Sequence, residues 1–231
     1  RNRREFTANV SHELKTPLQT IIGSAELIEN GFVKPEDMPR FIGHIRREAA
    51  RLVTLIEDII RLSQLDEGVD LPHEDTDIHA LAEEAVGTLS ESAKAKNVTL
   101  EVHGGGTMVY GVRRLLYEIV YNLCDNAIRY NKDGGRVDIT TLTDDDGVKL
   151  IVKDTGIGIP PEHQGRIFER FYRVDKSHSK QSGGTGLGLS IVKHAAQYHG
   201  AEIDLESVPG EGSTFTVKFP KGVNSERTMA D

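Results

Sequence analysis

The chain has 231 residues and a mass of 25.5 kDa, enough for one large domain or two modest ones. Hydrophobic residues make up 37% and charged residues 28%, which supports a buried core and excludes wholesale disorder. With 28 basic against 36 acidic side chains the net charge is −8. That argues against nucleic acid as a partner, since phosphate contacts need a basic surface. No stretch approaches the ~20 apolar residues of a membrane span, and no signal-peptide core follows Arg1-Asn2-Arg3-Arg4. The single Cys124 excludes an internal disulfide and a Cys-rich zinc site. The abrupt polar start reads as that of a cytoplasmic fragment cut from a longer protein.

Residues 1–66 carry no strand pattern. Phe6, Val10, Leu14, Leu18, Ile21, Ala25 and Ile28 recur at steps of three and four, one stripe on one helix. Asn30-Gly31 and Lys34-Pro35 break it. A second helix follows with Ile42, Ile45, Ala49, Leu52, Ile56 and Ile59 in a heptad-like seam, which Phe41, Val53, Ile60 and Leu62 widen. Two helices cannot bury so wide a stripe against each other. Dimerisation into a four-helix bundle would cover it; an αα-hairpin packed on the rest of the chain is the alternative.

Residues 67–77 are polar and contain Gly68 and Pro72, which predicts a linker. From 78 to 220 the pattern is mixed. Helices are expected over 78–96, 112–130 and 187–199. Strands are expected over 98–102, 137–143, 148–153, 201–207 and 213–219. The acidic Asp144-Asp145-Asp146-Gly147 is a hairpin turn by this reading, and residues 160–185 form a long polar loop. Hairpin-linked strands with segregated helices predict an α+β fold, with helices on one face of a sheet. Residues 221–231 read as a frayed tail.

At ~100° per residue, His12 lies opposite the apolar stripe of its helix and faces water. Glu13 can accept a proton from an imidazole nitrogen, Thr16 shares the face at i+4, and Pro17 should kink the helix. An exposed imidazole with its own carboxylate has the makings of an activated nucleophile, although a lone surface histidine usually does nothing. Farther on, Glu118, Asn122, Asn126 and Arg129 share one helical face. They could be an ordinary wet surface. They could also hold magnesium, which takes oxygen ligands and keeps waters and substrate phosphates. Asp154 ends a predicted strand before Gly156 and Gly158, where the backbone can approach a flat ligand closely. Gly184-Thr185-Gly186-Leu187-Gly188 follows a polar loop and opens a helix. That context is wrong for a dinucleotide fingerprint but suited to phosphate on free backbone N–H groups. The other eight histidines show no metal-ligand spacing and read as surface residues.

Phe6-Thr7-Ala8-Asn9-Val10-Ser11-His12-Glu13-Leu14-Lys15-Thr16-Pro17-Leu18 closely resembles the H box of the sensor histidine kinases of bacterial two-component systems. Four further segments are similar to that family's N, G1, F and G2 boxes, in order: 122–130, 154–160, 168–173 and 184–190. Arg129 and Asn131 depart from the usual Lys and Ser or Thr of the N box.

The resemblance implies a dimerisation and phosphotransfer hairpin followed by an α/β sandwich of the histidine kinase, gyrase, Hsp90 and MutL type. It implies ATP and Mg2+ as cofactors and autophosphorylation of His12. Glu13 would be the general base, and Thr16 would align water for the reverse, phosphatase reaction. Asn122, Asn126, Arg129, Tyr130, Asp154, Gly156, Gly158, Ile159, Arg173, Gly184, Thr185, Gly186, Leu187 and Gly188 would bind ATP, with Asn126 and Asn122 on the metal. Residues 174–183 would form a lid. The implied partners are a second copy of the chain and the receiver domain of a response regulator. The membrane would be reached only through segments outside this chain, anchoring the full-length protein in the bacterial inner membrane. The rival reading is an ATP-driven switch or ATPase without phosphotransfer. In it, Glu118 would occupy the place where gyrase and chaperone relatives keep a water-activating base. A dimerisation module with a degenerate nucleotide fold is a third reading.

Overall fold

The computed structural model describes residues 2–66, 71–174 and 184–221, with side chains described from residue 6 to 64 in the first segment. The expected lid over 174–183 and the expected tail fall almost wholly outside the described residues.

Two long helices come first, α1 (Asn2–Glu29) and α2 (Met38–Asp66), joined through a single 3-10 turn at Pro35–Asp37. Gly31, at φ +70°, turns the chain out of α1. Pro35 starts the 3-10 turn, where its missing N–H costs nothing. Pro17 sits inside α1 and leaves the Glu13 carbonyl without its i+4 donor. The apolar stripe of the pair is incompletely covered: Leu18, Ile22, Ile42, Val53, Ile56 and Ile60 remain exposed.

The expected linker stops short of residue 77. Residues Glu74–Asp77 form β1, antiparallel to β3 (Met108–Gly111) in a two-stranded ribbon. The tie is local chemistry. Asp77 Oδ1 accepts from the backbone N–H of both His79 and Thr107 (2.9 Å each), so it caps α3 (Ile78–Ala95) and joins it to the ribbon. β3 itself was not foreseen, being four residues long and half exposed.

Five strands form the main sheet. They are β2 (Thr99–Gly104), β4 (Arg136–Asp144), β5 (Gly147–Asp154), β6 (Glu202–Val208) and β7 (Gly212–Pro220), in the order β2-β4-β5-β7-β6. β2 and β4 are parallel and the other pairs antiparallel. The acidic run is the expected hairpin turn: Asp144 pairs with Gly147, accepts from the Asp146 N–H and contacts Lys149. α3, α4 (Arg113–Arg129) and α6 (Gly188–Tyr198) cover one face. Ile139, Leu150, Val152 and Val217 from the strands meet Leu116, Ile119, Leu123 and Val192 from the helices in one core. Within the described part of the expected loop over 160–185 lies a short helix, α5 (Pro161–Gln164).

A second, smaller cluster joins the two halves. Leu55 and Leu62 of α2 pack with Leu187 and Ile191, flanked by Phe6, Leu14, Ile59 and Phe171. At its edge the Phe6 ring stacks on Phe171 at 5.9 Å, with the Arg170 guanidinium 4.8 Å from the Phe6 ring centre.

Candidate nucleotide and phospho-acceptor sites

α4 presents its apolar side to the sheet and its polar side to a cavity of about 900 Å³. Asn122, Asn126, Arg129, Tyr130, Asp154, Gly158, Ile159, Arg173, Gly184, Thr185, Gly186 and Gly188 all line it. Sequence separation hid this convergence: α4 supplies one wall, the end of β5 the floor, and the start of α6 the third side.

Asp154 is 9% exposed. Its Oδ1 accepts from Gly156 N–H at 2.8 Å and from Ser213 N–H at 3.3 Å. Burial raises its pKa above the ordinary carboxylate value, and these two donors partly oppose the rise. The second carboxylate oxygen can then address an exocyclic amine. Gly156 lies off the cavity wall but is required beside it. A Cβ there would stand 2.4 Å from the Tyr130 carbonyl oxygen. Gly158, at φ +67°, faces the Val208 carbonyl at 2.1 Å in the same sense.

The opposite end of the cavity suits phosphate and a hard cation. Asn122 donates through Nδ2 to the Glu118 carbonyl (2.8 Å) and carboxylate (3.2 Å). That orientation leaves Oδ1 toward Gly188, where a Cβ would stand 3.0 Å from it. An amide oxygen aimed at the glycine-rich turn fits magnesium's preference for oxygen ligands, and Asn126 lines the same wall. Arg129 pairs with Asp125 at 2.8 Å. Thr185 Oγ1 accepts from the Leu187 N–H at 3.3 Å, just ahead of α6.

The Leu187 side chain faces away from the cavity, which leaves only its backbone for the expected role. It is fully buried in the cluster against α2 and does not line the cavity. An apolar side chain within a phosphate-binding turn can only face away from the ligand, and here α2 receives it. Ser213, Phe215, Tyr121 and Tyr172 line the cavity without having been foreseen, as do Thr54, Glu57, Asp58 and Arg61 of α2. Ser213 contributes through its backbone N–H, which residue type does not disclose.

His12 is where its periodicity puts it, on the solvent side of α1, with 80% of its side chain exposed. Its Nδ1 lies 3.9 Å from Glu13 Oε1. Glu13 Oε2 is 3.5 Å from Arg173 Nη2 and 4.0 Å from Arg51 Nη2. Thr16 Oγ1 donates to the His12 carbonyl at 3.2 Å. None of His12, Glu13 and Thr16 lines the cavity. Arg173 therefore stands between the two sites, lining the cavity, donating to the Gly184 carbonyl and facing Glu13.

The histidines do not all lie idle on the surface. His199 is half-buried: its Nδ1 is 2.7 Å from the Ala195 carbonyl and its Nε2 accepts from the Val112 N–H at 3.0 Å. Elsewhere Glu101, His103 and Asp138 bring one ligand atom each within 4.8 Å of one another. The Arg136 guanidinium already holds both of those carboxylates.

A helical hairpin bearing an exposed imidazole is joined to a mixed sheet whose one-sided helices frame a cavity of about 900 Å³, the two-part layout of a phospho-acceptor domain followed by an ATPase domain. Residues 2–68 match the family model for the His Kinase A (phospho-acceptor) domain. Residues 111–223 match that for the histidine kinase-, DNA gyrase B- and HSP90-like ATPase. The chain belongs to the sensor histidine kinases, of which it is a catalytic core. It is 40% identical over 221 residues to the sensor-like histidine kinase SenX3 of Mycolicibacterium smegmatis, covering 95% of this chain and 58% of that one. The chain thus spans little more than half the length of this curated relative. Among solved structures, the Acinetobacter baumannii histidine kinase AdeS matches with a TM-score of 0.75 at 26% identity, covering 91% of this chain and 98% of that one. The histidine kinase ThkA, solved in complex with the response regulator protein TrrA, matches with a TM-score of 0.75 at 26% identity, covering 94% of this chain and 61% of that one.

Proposed function

We propose that the chain is an ATP-dependent protein-histidine kinase that phosphorylates its own His12 and passes the phosphoryl group to an aspartate of a response regulator. The observation that carries this reading is the pairing, in one chain, of an exposed imidazole beside its own carboxylate with a cavity built to bind a nucleotide. Asp154 would accept a hydrogen bond from the adenine amine, and the N–H groups at the start of α6 would hold phosphate oxygens. Asn122 and Asn126 would hold magnesium. When bound, the ion would neutralise charge on the phosphates.

One imidazole nitrogen of His12 attacks the γ-phosphorus while Glu13 takes the proton from the other, and ADP leaves. Since phosphoryl transfer asks mainly for positioning and charge stabilisation, an imidazole outside the cavity is not yet in place. The ATP-binding half must swing until the γ-phosphate meets His12. Thr16, one turn from the nucleophile, would orient a water for dephosphorylation of the regulator.

The response-regulator partner is supported by the ThkA–TrrA complex of a structural relative. A homodimer is supported by the exposed apolar residues of α1 and α2. No described helix is long and apolar enough to cross a membrane, so an anchor in the inner membrane would belong to other segments of the full-length protein. The ATPase-only rival has no use for an exposed His12 beside Glu13; its candidate base, Glu118, is held here by Arg61 and Asn122.

The decisive experiment incubates the chain with γ-labelled ATP and tests the acid lability of the label. His12→Gln should keep nucleotide affinity and lose all labelling. Labelling of His12→Gln at another residue would overturn the assignment.

A further inference from the structure

Phosphoryl transfer to His12 gives no reason for α2 to wall the nucleotide cavity, yet it does so with Thr54, Glu57, Asp58 and Arg61. The Asp58 contact is specific. Thr185, within the glycine-rich turn, donates from Oγ1 to Asp58 Oδ2 at 2.7 Å, and both residues are buried. Among the described residues Asp58 pairs with one cation, Arg61, at 3.6 Å. Arg61 is shared with Glu118, 3.3 Å from its Nε. Among the described residues, the charged side chains of the cavity wall are five carboxylates (Glu57, Asp58, Glu118, Asp125, Asp154) and three guanidiniums (Arg61, Arg129, Arg173). Carboxylates outnumber guanidiniums among these residues, and α2 contributes two of them to one guanidinium. Charges at such range inside a partly closed cavity are weakly screened.

We propose that Asp58 sets nucleotide binding and domain docking against each other. Its carboxylate and the polyphosphate of a bound nucleotide compete for the turn at 184–188, so the charge of the nucleotide releases the ATP-binding half from α2. The proposal rests on reading this cavity as the ATP site. Its consequence is reciprocal: whatever holds α2 on the turn weakens ATP binding by the same factor that ATP weakens docking. A shift of α2 within the bundle would thereby reach the nucleotide without touching His12. The penalty should grow with phosphate charge, greatest for ATP, smaller for ADP and absent for adenosine.

Asp58→Asn separates charge from contact, because the amide oxygen can still accept from Thr185 Oγ1. Calorimetric titration of the whole chain at low ionic strength, with adenosine, ADP and a non-hydrolysable ATP analogue, reads the effect. Asp58→Asn should tighten the analogue about tenfold, tighten ADP less and leave adenosine unchanged. Equal gains for adenosine and the analogue, or no gain for the analogue, would overturn the proposal while leaving the nucleotide site intact. Absence of adenosine binding in the parent chain would instead overturn the nucleotide-site reading, and the proposal with it.

A second measurement follows docking directly. Spin labels at the exposed positions Arg46→Cys and Lys193→Cys should move apart when the analogue binds the parent chain, and move less in the Asp58→Asn background. An unchanged separation in the parent would refute nucleotide-driven release.

Discussion

Asp154→Asn isolates the single group assigned to adenine recognition. The amide oxygen can take the place of Oδ1 and keep the bonds from Gly156 N–H (2.8 Å) and Ser213 N–H (3.3 Å). The amide nitrogen then replaces Oδ2, and a donor faces the donor of the adenine amine. A buried polar group left unpaired costs about 1–3 kcal/mol, which corresponds to a loss of affinity of roughly five- to 150-fold. Stability should move the other way. Burial raises the Asp154 pKa, so the carboxylate is harder to ionise folded than unfolded, and stability is lost as pH rises through its folded pKa. A neutral amide removes that loss at pH 7. Titration calorimetry with ADP, paired with urea unfolding of the unliganded chain, separates the two effects. Weaker ADP binding with unchanged or higher stability is expected. Parent-like affinity would mean that adenine binds elsewhere. Loss of affinity and stability together would mean that Asp154 acts only by organising the turn.

Thr16→Ala should leave autophosphorylation largely intact and slow dephosphorylation of the regulator. A hydroxyl can orient water but is too weak a base to take an imidazole proton, and Ala does not weaken the helix. Glu13→Ala should damage the kinase step more, and parallel loss of both activities in Thr16→Ala would reduce Thr16 to a shaper of the helix before Pro17. His199 gives an acid dependence. Burial holds its pKa below 6.5, and its Nε2 must stay unprotonated to accept from Val112 N–H. The unfolded chain takes up the proton first, so stability should fall as pH drops below about 6.5 toward the folded pKa. Urea midpoints at successive pH values should show that slope, and His199→Gln should flatten it.

The sequence by itself determined the two long helices, because apolar steps of three and four allow no other regular structure. It determined the hairpins of the main sheet, since Asp144-Asp145-Asp146-Gly147 and Pro209-Gly210-Glu211-Gly212 are turns wherever they occur between alternating strands. It placed His12 on the water side of α1 and Asp154 at a strand end before two glycines, because those facts are local. The tertiary structure alone decided what lies between remote segments. Strand β3 exists because β1 is there to pair with it; its four residues carry too little pattern to stand alone. Leu187 turns from the nucleotide to α2, His199 becomes a fixed joint between α6 and the start of α4, and Asp58 reaches Thr185 across 127 positions of sequence. Periodicity reports which face of an element is buried. What buries it is a matter of docking, and docking follows from the summed packing and charge of surfaces that no local window contains.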